Sequence, residues 1–258
     1  SGSLKVLWVT YQIIMSCSWN LDVTFPEPFN NMLGFMTVFS FDFLSLECFQ
    51  SGTPSYRYFF KVYVWCCLPI FAIAFIVLIG LARLVHHNQS IVTLRGKVIN
   101  QHIWMILLVT YLVLPAVTNK QFQSLDCIKL NHEGLSFLRV DSEISCISSN
   151  YVQFRSILIV FIILYQSIPI LWLLLLYRNR AKLDRQSKDH NEALELHDRD
   201  NNTKLDHIRF LFQDYRVSKW WFEVLEMYRR IVFIGVLPLT STITSKRASF
   251  GCYLAIAS

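Results

Sequence analysis

Two groups of residues in this chain have types and spacing that could do chemistry. The first is Cys127 and Cys146, which flank a polar stretch. On an oxidising face two such thiols either bridge, which for a loop of about 20 residues stabilises by roughly 3 kcal/mol, or stay free. The second is the run Trp220-Trp-Phe-Glu-Val-Leu-Glu-Met-Tyr-Arg-Arg230. Trp220 and Trp221 are amphipathic rings of the kind that gather at lipid headgroups. Glu226 precedes Arg229 by three positions and Arg230 by four, so a helix puts them on one face, with Glu223 a turn earlier. Ser218 is placed to cap that helix. Trp220, Trp221, Glu223, Glu226, Arg229 and Arg230 are therefore the candidates for a membrane-interface coupling element. The alternative is a plain amphipathic lead-in with basic anchors.

Little else in the chain suggests reactivity. There is no Gly-rich phosphate loop, HExxH pair, nucleophile elbow or Ser/His/Asp arrangement. No Cys/His cluster has metal-ligand spacing, and Cys66–Cys67 reads as small buried hydrophobes. His86–His87 reads as a solvated pair, and the sequons at Asn88 and Asn201 as chance matches. The expectation is a protein that is not an enzyme and needs no cofactor or catalytic metal.

The elements that position these residues are apolar helices. Hydrophobic residues make up 53% and charged ones only 16% of the chain, against about 25% charged in ordinary soluble domains. Val62–Ala82 (21 residues) and Ser156–Tyr177 (22 residues) carry no charge, and about 20 helical residues cross a bilayer. The reading is an all-α, polytopic helical membrane protein with four clear transmembrane helices, at about 60–82, 98–118, 156–177 and 220–245. Each carries a proline, Pro69, Pro115, Pro169 or Pro238, as a candidate kink.

Residues 1–58 hold an N-terminal helix and, after Pro26 and Pro28, an amphipathic stretch read as an interfacial helix. Residues 59–258 form the bundle. The Ser-Gly-Ser opening, and a further apolar run starting at Ala248, suggest a chain cut at both ends.

Loop charges orient the spans. Arg83–His102 carries three Lys/Arg and no acid, and Arg178–Lys219 carries ten Lys/Arg against eight Asp/Glu. Asn119–Arg155 has four of each. The basic loops, including 178–219, are expected in the cytoplasm and the cysteine-bearing loop outside. The net charge of +6 sits in these loops without a basic stripe interleaved with aromatics, which argues against nucleic acid as partner. Alternating charges with Asn and His over 183–206 predict a solvated helix or a linker.

Several stretches also carry a family resemblance. They are Asp126-Cys127, Phe137-Leu-Arg-Val-Asp-Ser-Glu-Ile-Ser-Cys146, a span ending Leu176-Tyr-Arg-Asn-Arg180, and Phe210-Leu-Phe-Gln-Asp-Tyr215 followed by the Trp220–Arg230 block. Together they resemble large protist membrane proteins with cysteine-rich, ephrin-receptor-like repeats outside and a terminal transmembrane region similar to transient receptor potential channels. The resemblance implies a multi-helix membrane domain, a Cys127–Cys146 bridge and an ectodomain upstream. It also implies an ion channel-like or sensor module in the plasma membrane or an endomembrane. Its partners would be the lipid bilayer, further copies in a homo-oligomer, and an inorganic cation. The rival is a receptor-like membrane anchor with no pore.

Overall fold

The computed structural model describes residues 2–21, 26–28, 31, 54–86, 92–129, 135–183, 192–202, 205–240 and 244–257. Nearly all of the expected interfacial helix, and residues 184–191 and 203–204 of the long loop, lie outside the described residues.

The chain is mostly helical. Helix α1 spans Gly2–Leu21, α2 Pro54–His86 and α3 Val92–Gln123. Strands β1 (Cys127–Lys129) and β2 (Ser136–Leu138) follow, then α4 (Ser149–Gln166) and α5 (Ile168–Arg178). The short α6 (Arg180–Leu183), α7 (Glu192–Asp200) and α8 (Arg209–Phe212) lead through a 3-10 turn to α9 (Phe222–Ile231). Helix α10 covers Thr244–Ala257.

Among the described residues three helical stretches are long and apolar enough to cross a membrane: Ser55–Val85, Gly96–Gln123 and Ser149–Arg178. They outrun the expected bounds because polar flanks keep their backbone bonds helical beyond the apolar core. The outward residues of α2, among them Phe71, Phe75 and Leu78, are large, apolar and exposed, as a lipid-facing surface requires.

Two features differ from the all-α, four-helix expectation. Residues 127–138 carry an antiparallel strand pair, with Cys127 opposite Leu138 and Lys129 opposite Ser136. The stretch 220–240 is no single long helix: α9 passes into a π turn over Val232–Val236 and a 3-10 turn over Leu237–Thr240. Pro238 lies in that 3-10 turn, where its missing N–H cannot serve an α ladder. Gly235 is needed on the π turn, because a Cβ there would run into the edge of the Phe122 ring. Pro69 and Pro115 are accommodated inside continuous helices, whereas Pro169 stands at the first turn of α5, after a break at Ser167.

By packing the chain divides into two units, whose boundaries fall inside α2, α3, α4 and α9. The first comprises 1–66, 115–163 and 229–258. In it α1 lies against the π turn, the 3-10 turn after it and α10. Phe59 stacks on Phe154 at 4.2 Å between ring centroids, with Tyr63 edge-on to Phe154 at 5.4 Å. The second comprises 67–114 and 164–228. There α2 and α3 approach closely at Gly80, where a Cβ would sit 2.9 Å from His102 Cδ2. The His102 Nδ1–H donates to the Val98 carbonyl at 2.7 Å. Tyr111 of α3 meets Trp172 of α5 at 6.3 Å and Phe210 of α8 edge-on at 4.9 Å.

Candidate functional site

The Trp220–Arg230 block folds as a 3-10 turn followed by α9. Its apolar positions Val224, Met227 and Ile231 recur every three to four residues and are buried, which fixes how the helix lies. Glu223 sits in its first turn, where a carboxylate suits the positive end of the helix dipole. That carboxylate is only 1% exposed and accepts a hydrogen bond from the Tyr215 hydroxyl at 3.1 Å. The bond is charge-assisted, which offsets part of the cost of burying the acid.

Tyr215 is itself held from behind. Arg199 of α7 is 4% exposed, and its Nη1 donates to the Tyr215 carbonyl at 2.8 Å. Its Nη2 reaches the Gln213 carbonyl at 3.5 Å and its Nε the Asp200 carboxylate at 3.0 Å, while the guanidinium lies 4.9 Å over the Phe212 ring. A rigid fork of donors is what clamps two carbonyls of one turn. In its described part the long loop thus holds a helix, α7, that buries one arginine, where the sequence suggested a solvated helix or a linker.

One turn and a half beyond Glu223, the Tyr228 hydroxyl donates to the Gln166 carbonyl at 2.9 Å. Gln166 ends α4 at the break before Pro169. Proline offers no N–H to the preceding turn, and side chains from neighbouring helices commonly engage backbone at such breaks. On the same break, Ser167 Oγ donates to the Leu164 carbonyl at 2.7 Å. Within this unit two sets of hydrogen bonds thus meet on α9: Arg199–Tyr215–Glu223 from α7, and Tyr228–Gln166 to the break between α4 and α5, with the body of α9 between them.

Of the other expected residues, Trp220 lines a cleft with Tyr177, Arg180 and Ala181. Trp221 lies beside Phe222, with Lys219 Nζ 5.5 Å over its ring. Glu226 is half-buried, Arg229 exposed and Arg230 buried, all within α9. Near the relay, burial holds the His207 imidazole below its ordinary 6.5. The Lys182 ammonium pushes the same way and Asp206 opposes. No cluster of three or more His, Cys, Asp or Glu that could hold a metal occurs among the described residues.

Cys127 and Cys146 are joined by a disulfide with Cα atoms 6.4 Å apart. Around it, Asp126 pairs with Arg139 at 3.3 Å and accepts the Arg139 N–H on its own carbonyl at 2.8 Å. The Tyr151 hydroxyl donates to the Ser124 carbonyl at 3.0 Å, and Ser124 Oγ donates to the Lys120 carbonyl at 2.7 Å. Since that hydroxyl's proton is thereby used, Tyr58 must be the donor in its 2.9 Å contact with Ser124 Oγ. One small buried serine thus receives groups from α2 and α4.

Arg199 and the roles of Tyr215 and Tyr228 escape sequence reasoning. An arginine inside a run of alternating charge has no spacing that marks it as buried, and a tyrosine hydroxyl does not announce a distant carbonyl as partner. No protein-family model, curated protein or solved structure matches the chain.

Proposed function

We propose that this chain is an integral membrane sensor or ion-channel-like module, without enzymatic activity, in which α9 couples the long basic loop to a break in a membrane-crossing helix. The observation that carries the reading is the Tyr228 hydrogen bond to Gln166 at that break, with Glu223 of the same helix held by the loop through Tyr215. Buried polar contacts are where a bistable element can be biased from outside the membrane. The fourth crossing would run through α9 and the π and 3-10 turns. π turns are frequent at functional positions in helices.

Under this reading the basic loops are cytoplasmic and the bridged loop lies on the oxidising side. An inorganic cation is the permeant species, and copies of the chain assemble in the membrane. The resemblance to transient-receptor-potential-like regions supports the channel form of the proposal. The firmly stapled 124–148 connection favours a second reading, a membrane anchor and signalling domain for an extracellular array.

Reconstitution in liposomes with a cation-flux assay distinguishes the two. Flux that Tyr228→Phe alters supports the channel. A correctly folded chain that passes no cation under any applied potential supports the anchor.

A further inference from the structure

A cleft of about 400 Å³ opens where α5 gives way to α6, lined among the described residues by Tyr177, Arg180, Ala181 and Trp220. Arg180 Nη1 donates to the Tyr177 hydroxyl at 2.8 Å, and the guanidinium carbon stands 4.5 Å from the centre of the Tyr177 ring. The phenol thus orients the guanidinium fork but engages one of the five N–H groups a guanidinium carries. Arg180 is exposed, so the remaining donors face open space.

The rest of the wall is two aromatic rings and an alanine, and the polar groups those rings carry can donate. An indole N–H only donates, and the Tyr177 oxygen, already an acceptor toward Arg180, keeps its own proton to give. Among the described residues no carboxylate lines the cleft. An oriented guanidinium with open donors recognises an anion with several acceptor oxygens, and an arginine fork suits phosphate in particular. Ala181, the smallest side chain on the wall, leaves the room.

Position supplies the source of that phosphate. Tyr177 and Arg178 end the third stretch able to cross a membrane, Ser149–Arg178. The end of such a helix lies at the headgroup level, where tryptophan rings like that of Trp220 gather. Basic pockets at that depth take anionic headgroups. We infer that the Tyr177–Arg180–Trp220 cleft is a binding site for the phosphate of an anionic phospholipid, seated beside the first residues leading to α9. The inference needs the membrane position of α5 but not conduction.

The test is native mass spectrometry of the full chain with short-chain phosphatidylglycerol, with phosphatidylcholine as the zwitterionic control and inorganic phosphate as competitor. Phosphatidylglycerol is expected to be retained in preference to phosphatidylcholine. Arg180→Gln is expected to weaken retention about fivefold, the size of one basic residue near a bilayer surface. Ala181→Leu, which fills the cleft and keeps every charge, should weaken it comparably. Arg178→Gln, exposed but outside the cleft, should leave it within about twofold.

Equal losses for Arg178→Gln and Arg180→Gln, or full retention in Ala181→Leu, would reduce the effect to general charge attraction and overturn the site. Displacement of the lipid by inorganic phosphate at similar concentration would overturn the lipid as its source. Should Arg180→Gln fail to fold, Ala181→Leu alone decides.

Discussion

Two connections of this molecule, one between α3 and α4 and one between α5 and α9, hold their shape by opposite means. Between α3 and α4 the chain is closed covalently by Cys127–Cys146, backed by a strand pair and the Asp126–Arg139 ion pair. Between α5 and α9 there is no disulfide among the described residues. Order there comes from one buried guanidinium on two carbonyls and from the Tyr215–Glu223 bond. A disulfide acts mainly by restricting the unfolded chain and persists wherever the compartment is oxidising. Hydrogen bonds of a loop can be exchanged for bonds to water at a net cost of about 1 kcal/mol each. The first connection is closed covalently and the second by hydrogen bonds alone among the described residues, which is why our proposal places the switching element in the second.

The comparison breaks most visibly at the bridge. The double change Cys127→Ser with Cys146→Ser is expected to cost roughly 3 kcal/mol. It should expose 124–148 to limited proteolysis while leaving amide exchange in 209–223 unchanged. If both connections loosened together, the two would not be independent devices.

Next in size is Arg199→Met, which strands the Tyr215 and Gln213 carbonyls and removes a charge-assisted contact. A loss of about 2 kcal/mol is expected, with faster amide exchange over 209–217 and no change at 124–148. Arg199→Lys should recover little, since an ammonium cannot span two carbonyls as a fork does.

These contrasts also show what the sequence could and could not tell. Charge-free runs of 21 and 22 residues made the helices able to cross a membrane readable, because a helix that meets water keeps a polar face. The cysteine pair was readable from its flanks, and its bridge is present. The strand pair was hidden, since three-residue strands leave no period to detect. The stretch 220–245 read as one apolar span because hydropathy does not report hydrogen-bond register, and Gly235 and Pro238 permit the π and 3-10 turns found there. The relay was least readable of all. Its donors and acceptors are ordinary residues whose pairing depends on helix packing and on a carbonyl 62 positions away.

The smallest expected effect is one of pH. Burial, reinforced by Lys182, holds the folded His207 below its ordinary 6.5, so the unfolded chain takes up that proton first as pH falls. The contribution of His207 is complete above about 6.5 and is lost as pH drops through the folded value. His207→Gln should flatten thermal stability across that window and leave it unchanged at pH 8. A wild-type curve already flat below 6.5 would contradict the assignment.

The most direct test of the coupling is amide exchange at the helix break in a variant altered only at the loop. Tyr215→Phe removes the hydroxyl that holds Glu223 and touches neither Tyr228 nor Gln166 in sequence. In the full chain embedded in nanodiscs, faster exchange is expected over 164–171 as well as over 209–223, and Tyr228→Phe should reproduce the first change. Faster exchange confined to 209–223, with 164–171 at the wild-type rate, would show that α9 does not transmit the state of the loop to the membrane helix.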